Sequence, residues 1–232
     1  MLPEFVWDAS ALEGSPLTFL EVKTLLDGAT VAGRRIADQA QILNLAKSIR
    51  RLLTLVKARQ FALTKATFTE LHINEVPERC LFRGENQESH YSPDVGRGAY
   101  RRYTSLPTVA GGIDLNRIFV QGATAVDKCV PNQFEKATAF FLFGAMHQFF
   151  SDGNECTSRL MMNGLLMSAG IDAISVPAAK AQEFGEKMMR FYLTKDATEM
   201  MAFLVDCHPD AEQIRAANRG VRKHPLKRRR GR

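Results

Sequence analysis

The stretch from Pro131 to Phe150 constrains the fold more than any other. Phe134, Phe140, Phe141, Leu142, Phe143, Met146, Phe149 and Phe150 put apolar side chains on nearly every side of one helix. Such a helix has no face to give to water, so it belongs at the centre of a helical bundle. Its apolar part, Ala137 to Phe150, is about 14 residues, short of the ~20 that a bilayer span needs. No membrane segment is expected. A Ser151-Asp152-Gly153-Asn154 break follows. A second apolar helix is expected from about Cys156 to Ala169, stopped by Gly170.

Further helices are expected around this pair. Ser15-Pro16 reads as an N-cap and first helical position, with Leu17, Leu20, Leu25 and Leu26 as the apolar face and Gly28 as the stop. Ile42, Leu45, Ile49, Leu52, Leu53 and Val56 follow three-four spacing and predict a helix over 37–58. Thr64 caps a short helix carrying Phe68 and Leu71. Residues 77–112 lose that period and are rich in Pro and Gly, which predicts a hairpin or functional loop. Helices resume near Ile113, open again at Ser175-Val176-Pro177, and the last opens at Thr194. Seven of nine methionines lie between Met161 and Met201 and read as core filling. Trp7 is expected to anchor the N-terminal segment.

Composition excludes other classes. The chain has 232 residues, 45 % hydrophobic and 24 % charged, which suits one globular domain. Cys80, Cys129, Cys156 and Cys207 form no CxxC pair, so neither a zinc site nor a disulfide framework is indicated. With Glu4 and Asp8 near the start and no basic run there, the N-terminus does not read as a secretory signal, and a cytoplasmic protein is expected. The net charge of +6 is concentrated at one end. Nine basic residues and no acid lie in 215–232, leaving 22 basic against 25 acidic over 1–214. The expected division is a folded body over 1–214 and a basic, disordered tail over 215–232. The tail is either a solvated end or a contact for nucleic acid or another acidic partner.

The chemistry is concentrated in residues 147–159. Gly153 can turn successive N–H groups into one concavity, and the helix start after it adds partial positive charge. Arg159 lies one turn into that helix. Asp152 is placed to hold a hydrated Mg²⁺ that bridges phosphates. His147 can take a proton from a hydroxyl. The alternative is a helix–helix turn with nothing bound. Histidines 72 and 208 read as packed or surface groups, and His90 and Tyr91 fall in the loop region.

The same segment resembles the signature of the Fic (Fido) family, HPFx(D/E)GN(G/K)RxxR. Asp152, Gly153, Asn154 and Arg159 match in register. Phe82-Arg83-Gly84 looks like the start of the family's flap, and Ser10-Ala11-Leu12-Glu13-Gly14 resembles its inhibitory motif, (S/T)xxxE(G/N), with Ala9 at the Ser/Thr position. The resemblance implies an all-α bundle with one β-hairpin flap. It implies transfer of AMP from ATP, with Mg²⁺, to a Ser, Thr or Tyr hydroxyl of a target protein. Asp152 would hold the metal, and residues 152 to 156 (Asp152, Gly153, Asn154, Glu155, Cys156) together with Arg159 would form the nucleotide site. Glu13 would pair with Arg159 and inhibit. A second copy of the chain is a further partner to consider.

Three departures bear on catalysis. In register, the family's histidine falls on Gln148, which is no base; His147 is one residue earlier, about 100° round a helix. Glu155 stands where a small or basic residue is usual. Cys156 replaces an arginine and removes a permanent charge; as a nucleophile it has no supporting motif. The alternative function is a degenerate scaffold that acts by nucleotide or protein binding, for example in a toxin–antitoxin-like system.

Overall fold

A computed structural model describes residues 2–75, 81–83, 85, 94–95, 103–104 and 107–222. His90, Tyr91, Cys80, Gly84 and residues 223–232 lie outside the described residues. The chain is an all-α bundle: α1 Leu2–Leu12, α2 Phe19–Leu26, α3 Ile36–Lys57, α4 Lys65–Glu75, α5 Ile113–Cys129, α6 Gln133–His147, α7 Asn154–Ser168, α8 Ala181–Thr194, α9 Thr198–Asp206 and α10 Ala211–Arg222. Between α4 and α5, β1 Asp94–Val95 pairs antiparallel with β2 Tyr103–Thr104. That pairing is the expected hairpin. None of the described helices is long and apolar enough to cross a membrane.

The helix expected to be central is α6, and it is. Phe140 joins one apolar cluster, built from α1 to α5 with the start of α7, whereas Phe134, Phe141, Leu142 and Ala145 join another, built with α8 and α9. Helix α7 contributes to both. The two helices meet closely: a Cβ on Gly144 would lie 2.2 Å from Ser158 Oγ. Phe68 of α4 touches the rings of Phe82, Phe119, Phe140, Phe149 and Phe150 at centroid distances of 5.0–6.2 Å. Each such pair adds about 0.5–1.5 kcal/mol beyond area burial. This aromatic block fixes the end of α6, and so the turn that follows.

Several boundaries differ from expectation, each for a local reason. Helix α2 starts at Phe19, not after Ser15-Pro16. Thr18 is the N-cap because Glu21 completes a capping box with it. Ser15 instead belongs to the close of α1, which was not foreseen. As a result Leu20 is 71 % exposed while Leu17, Val22 and Leu25 are buried. Helix α6 stops at His147, not Phe150, because Gln148 adopts a left-handed conformation (φ 47°, ψ 61°). Phe149 and Phe150 are buried from the turn. After Ser175-Val176-Pro177, a 3₁₀ turn at Ala178–Lys180 precedes α8. Thr194 closes α8 rather than opening the last helix; the next begins at Thr198, whose N–H bonds the Asp196 carboxylate at 2.9 Å. Helix α10 runs to Arg222, so 215–222 is helical where a tail without structure was expected.

Candidate functional site at the α6–α7 turn

The turn is held by side chains from within it. Asn154 accepts a hydrogen bond from the Phe150 N–H at 2.8 Å, and its amide donates to the Phe150 carbonyl at 2.8 Å and to Gln148 Oε1 at 3.0 Å. Gln148 in turn donates to the Ala145 carbonyl at 2.6 Å. Its side chain is therefore buried and committed to the turn. Gly153 sits at φ 67°, and its N–H bonds the Asp152 carboxylate at 2.8 Å. The helical ladder of α7 begins with the Thr157 N–H on the Gly153 carbonyl, so the amides of Asn154, Glu155 and Cys156 precede it and form the helix's electropositive end.

Arg83, which lies between α4 and the hairpin in sequence, fastens the turn from outside. Its Nε donates to the Gln148 carbonyl at 2.5 Å, Nη2 to the His147 carbonyl at 3.3 Å, and its own N–H to the Phe149 carbonyl at 2.7 Å. A cation against the last carbonyls of α6 also complements the helix dipole. His72 stacks on Phe150 at 3.6 Å and shares a 3.0 Å hydrogen bond with Thr157. His208 bonds the Asp172 carbonyl. Both histidines are packed structural groups. Sequence reading could not have assigned Arg83 this task, because its acceptors are more than sixty residues away.

His147 packs against Phe143 and Phe149. Its Nδ1 lies 3.0 Å from the Phe143 carbonyl. A carbonyl only accepts, so Nδ1 carries the proton and Nε2 is the basic nitrogen of the neutral ring. Burial pulls its pKa below the ordinary histidine value; the Phe143 carbonyl works the other way, and Lys195 adds to the fall.

Arg159 is buried, and its Nη2 donates to Glu13 Oε1 at 2.9 Å and to the Ala9 carbonyl at 3.4 Å. Its guanidinium lies 5.6 Å from the Phe184 ring. Burial works against its charge, but Glu13, Cys156 and Glu155 outweigh that and hold its pKa above the usual arginine value. Its Nη1 is buried without a hydrogen-bond partner among the described residues. A cavity of about 20 Å³ lies beside it, lined by Ala9, Leu12, Cys156 and Asn163 among others.

Glu13 reaches Arg159 because α1 ends in a Schellman closure. The Ser15 N–H bonds the Ser10 carbonyl at 3.0 Å and the Gly14 N–H bonds the Ala11 carbonyl at 3.0 Å, with Gly14 at φ 74°. A glycine is needed at that left-handed position, and it turns the chain just after Glu13. Trp7 packs edge-on against Phe19 at 5.8 Å, anchoring the same helix.

The departures have structural partners. Glu155 accepts a 2.5 Å hydrogen bond from the Tyr192 hydroxyl of α8. Cys156 is not in a disulfide and is buried in the larger apolar cluster. Asp152 is exposed at the rim. Among the described residues no group of three or more acidic, His or Cys side chains could hold a metal by itself. One exposed carboxylate fits a Mg²⁺ that takes most of its ligands from water and phosphates. A larger cavity of about 880 Å³ lies elsewhere, lined by Phe61, Lys65, Phe119 and Lys136. Lys65 and Lys136 already pair with Glu85 and Asp127, and volume alone does not place the chemistry there.

These features define a class: a helical bundle with two central helices joined by an Asp-Gly-Asn turn, a hairpin at its side, and an N-terminal helix that lays a carboxylate on a buried arginine. The chain has the Fic (Fido) fold. It superposes on a fragment of Fic-1 (residues 134–508) from C. elegans with a TM-score of 0.72 at 16 % identity, covering 94 % of this chain and 62 % of that one. A Fic domain containing signaling protein from Bacteroides thetaiotaomicron gives 0.68 at 16 %, covering 93 % and 81 %. A Fic family protein from Desulfovibrio desulfuricans gives 0.71 at 14 %, covering 94 % and 65 %. The chain spans less than two thirds of the first and third of these. At such identities the likeness is one of fold. No protein-family model matches the chain.

Proposed function

We propose that the α6–α7 turn binds the phosphates of ATP and that Glu13 holds the site closed. One observation carries this reading: the ion pair between Glu13 and the buried Arg159, at 2.9 Å across 146 residues of sequence. Arg159 has one donor engaged by a carboxylate that can leave and another, on Nη1, with no acceptor among the described residues. A terminal phosphate replacing Glu13 would satisfy both. The amides of Asn154, Glu155 and Cys156 would take inner phosphate oxygens. Asp152 would hold Mg²⁺, which when bound neutralises phosphate charge.

The reaction that this arrangement serves is AMP transfer. A Ser, Thr or Tyr hydroxyl of a target protein attacks the α-phosphorus, the bond to the β-phosphate oxygen breaks, and pyrophosphate leaves. The hydroxyl proton would go to Nε2 of His147, the basic nitrogen of that ring. Catalysis in this scheme is positioning plus stabilisation of phosphate charge by Arg159 and the helix end. Transfer of labelled AMP from ATP tests it. Incorporation is expected to rise in Glu13→Gly, to be lost with His147→Ala in that background, and to survive Gln148→Ala in reduced yield.

A second reading is favoured by the commitment of Gln148. The residue at the family's base position is spent on Asn154 and Ala145, and Cys156 supplies no positive charge. On this reading the chain binds nucleotide without transferring it. ATP binding in Glu13→Gly with no incorporation of label would select it.

A further inference from the structure

We infer that Asp8 is the latch that keeps Glu13 on Arg159, and so sets how tightly the nucleotide site is closed; this rests on the reading of that site given above. The two Asp8 carboxylate oxygens are both used, and both reach away from α1. Oδ2 accepts from the Ser175 hydroxyl at 3.0 Å, and Oδ1 accepts from the Ala178 N–H at 2.9 Å. Ala178 opens the 3₁₀ turn before α8. The residue at that turn's own N-cap position is Pro177, which makes no side-chain cap. Asp8 supplies the missing acceptor from another helix, a cap in trans.

The strap that receives Asp8 is fixed to the helix that carries Arg159. Asn163, one turn beyond Arg159 on α7, donates to the Ile174 carbonyl at 3.0 Å and accepts from the Ile174 N–H at 2.9 Å. Besides the bond from Arg159 to the Ala9 carbonyl, α1 is therefore tied to α7 through two carboxylates. One is the Glu13 pair, where a phosphate competes. The other is Asp8 on the 174–178 strap, where it does not. A phosphate can displace the Glu13 side chain, but moving α1 aside requires Asp8 to release Ser175 and Ala178 as well. Asp8 touches no reacting atom; it is a positioning residue.

The test uses the full chain with Asp8→Ala and the isosteric Asp8→Asn, each with and without Glu13→Gly. Two quantities are read: hydrogen exchange of the α1 amides without ligand, and affinity for Mg–ATP by calorimetry. In Asp8→Ala the α1 amides are expected to exchange about tenfold faster and ATP to bind about tenfold tighter, the scale of losing hydrogen bonds to a charged group. Asp8→Asn gives a smaller change in the same direction, and it carries the test if the alanine variant folds poorly. In the Glu13→Gly background neither Asp8 variant is expected to change ATP affinity further, whereas a purely structural role would weaken binding in both backgrounds. If Glu13→Gly tightens ATP binding while the Asp8 variants alter neither quantity, the latch is overturned and the nucleotide site stands. If exchange rises in the Asp8 variants but no variant changes ATP affinity, the latch on α1 stands and the nucleotide reading falls.

Discussion

Two arginines are buried among the described residues of this bundle, and they are held in different ways. Arg83 gives its Nε and Nη2 to main-chain carbonyls at the end of α6. Those acceptors cannot leave without unravelling the turn. Arg159 is held by the side chain of Glu13, 22 % exposed and in the turn that closes α1, with a longer bond to the Ala9 carbonyl, and its Nη1 is unused among the described residues. A buried cation fixed by backbone is architecture. A buried cation balanced by a removable carboxylate is what the proposed nucleotide site uses, since an incoming anion would take the carboxylate's place.

The comparison predicts different fates for the two regions. Arg83→Ala removes the clamp on His147 and Gln148 and is expected to cost about 3 kcal/mol in urea unfolding, with no recovery on adding pyrophosphate. A loss below about 1 kcal/mol would erase the distinction. Glu13→Ala leaves Arg159 buried and uncompensated, at a cost of about 2 kcal/mol, reduced from the buried-pair range because Glu13 is partly exposed. Here pyrophosphate is expected to restore most of the lost melting temperature. Gly14→Ala forces a Cβ into the left-handed cap of α1 and costs about 1 kcal/mol. It also loosens Glu13, so it is expected to tighten ATP binding, as Glu13→Ala does, but less.

The smallest effect concerns pH. The folded pKa of His147 lies below its unfolded value of about 6.5. The unfolded chain therefore takes up a proton first as pH falls. The associated stability is present above pH 6.5 and is lost as pH drops from there toward the folded value. His147→Gln is expected to have a shallower slope of unfolding free energy between pH 7 and 5, and an unchanged slope would mean that the ring is not desolvated as described.

The elements of the fold were largely legible, and their ends were not. The all-round apolar stretch placed α6 at the centre, and three-four spacing found α3. The end of α6 was missed because Phe149 and Phe150 continue the apolar pattern while Gln148 breaks the backbone, and the cause lies in Asn154 and Arg83, beyond any local window. Thr18 was passed over for Ser15, although Glu21 three residues later carried the capping-box signal. Helix α1 was not among the helices expected from the sequence; it packs on α2, α3 and the 3₁₀ turn at Ala178–Lys180. At the site, Asp152, Gly153, Asn154 and Arg159 were marked by their motif. The answer to Glu155 lies in Tyr192, 37 residues on, and that of Asp8 in Ser175, 167 residues on. Neither pairing leaves a trace in the spacing of one sequence.

Calorimetric titration of Mg–ATP into the wild-type chain, Glu13→Gly and the Glu13→Gly, Arg159→Ala double variant tests the central claim most directly. The account predicts weak binding by the wild type, affinity at least about tenfold higher in Glu13→Gly, and loss of that gain in the double variant. Equal affinities in all three would contradict it.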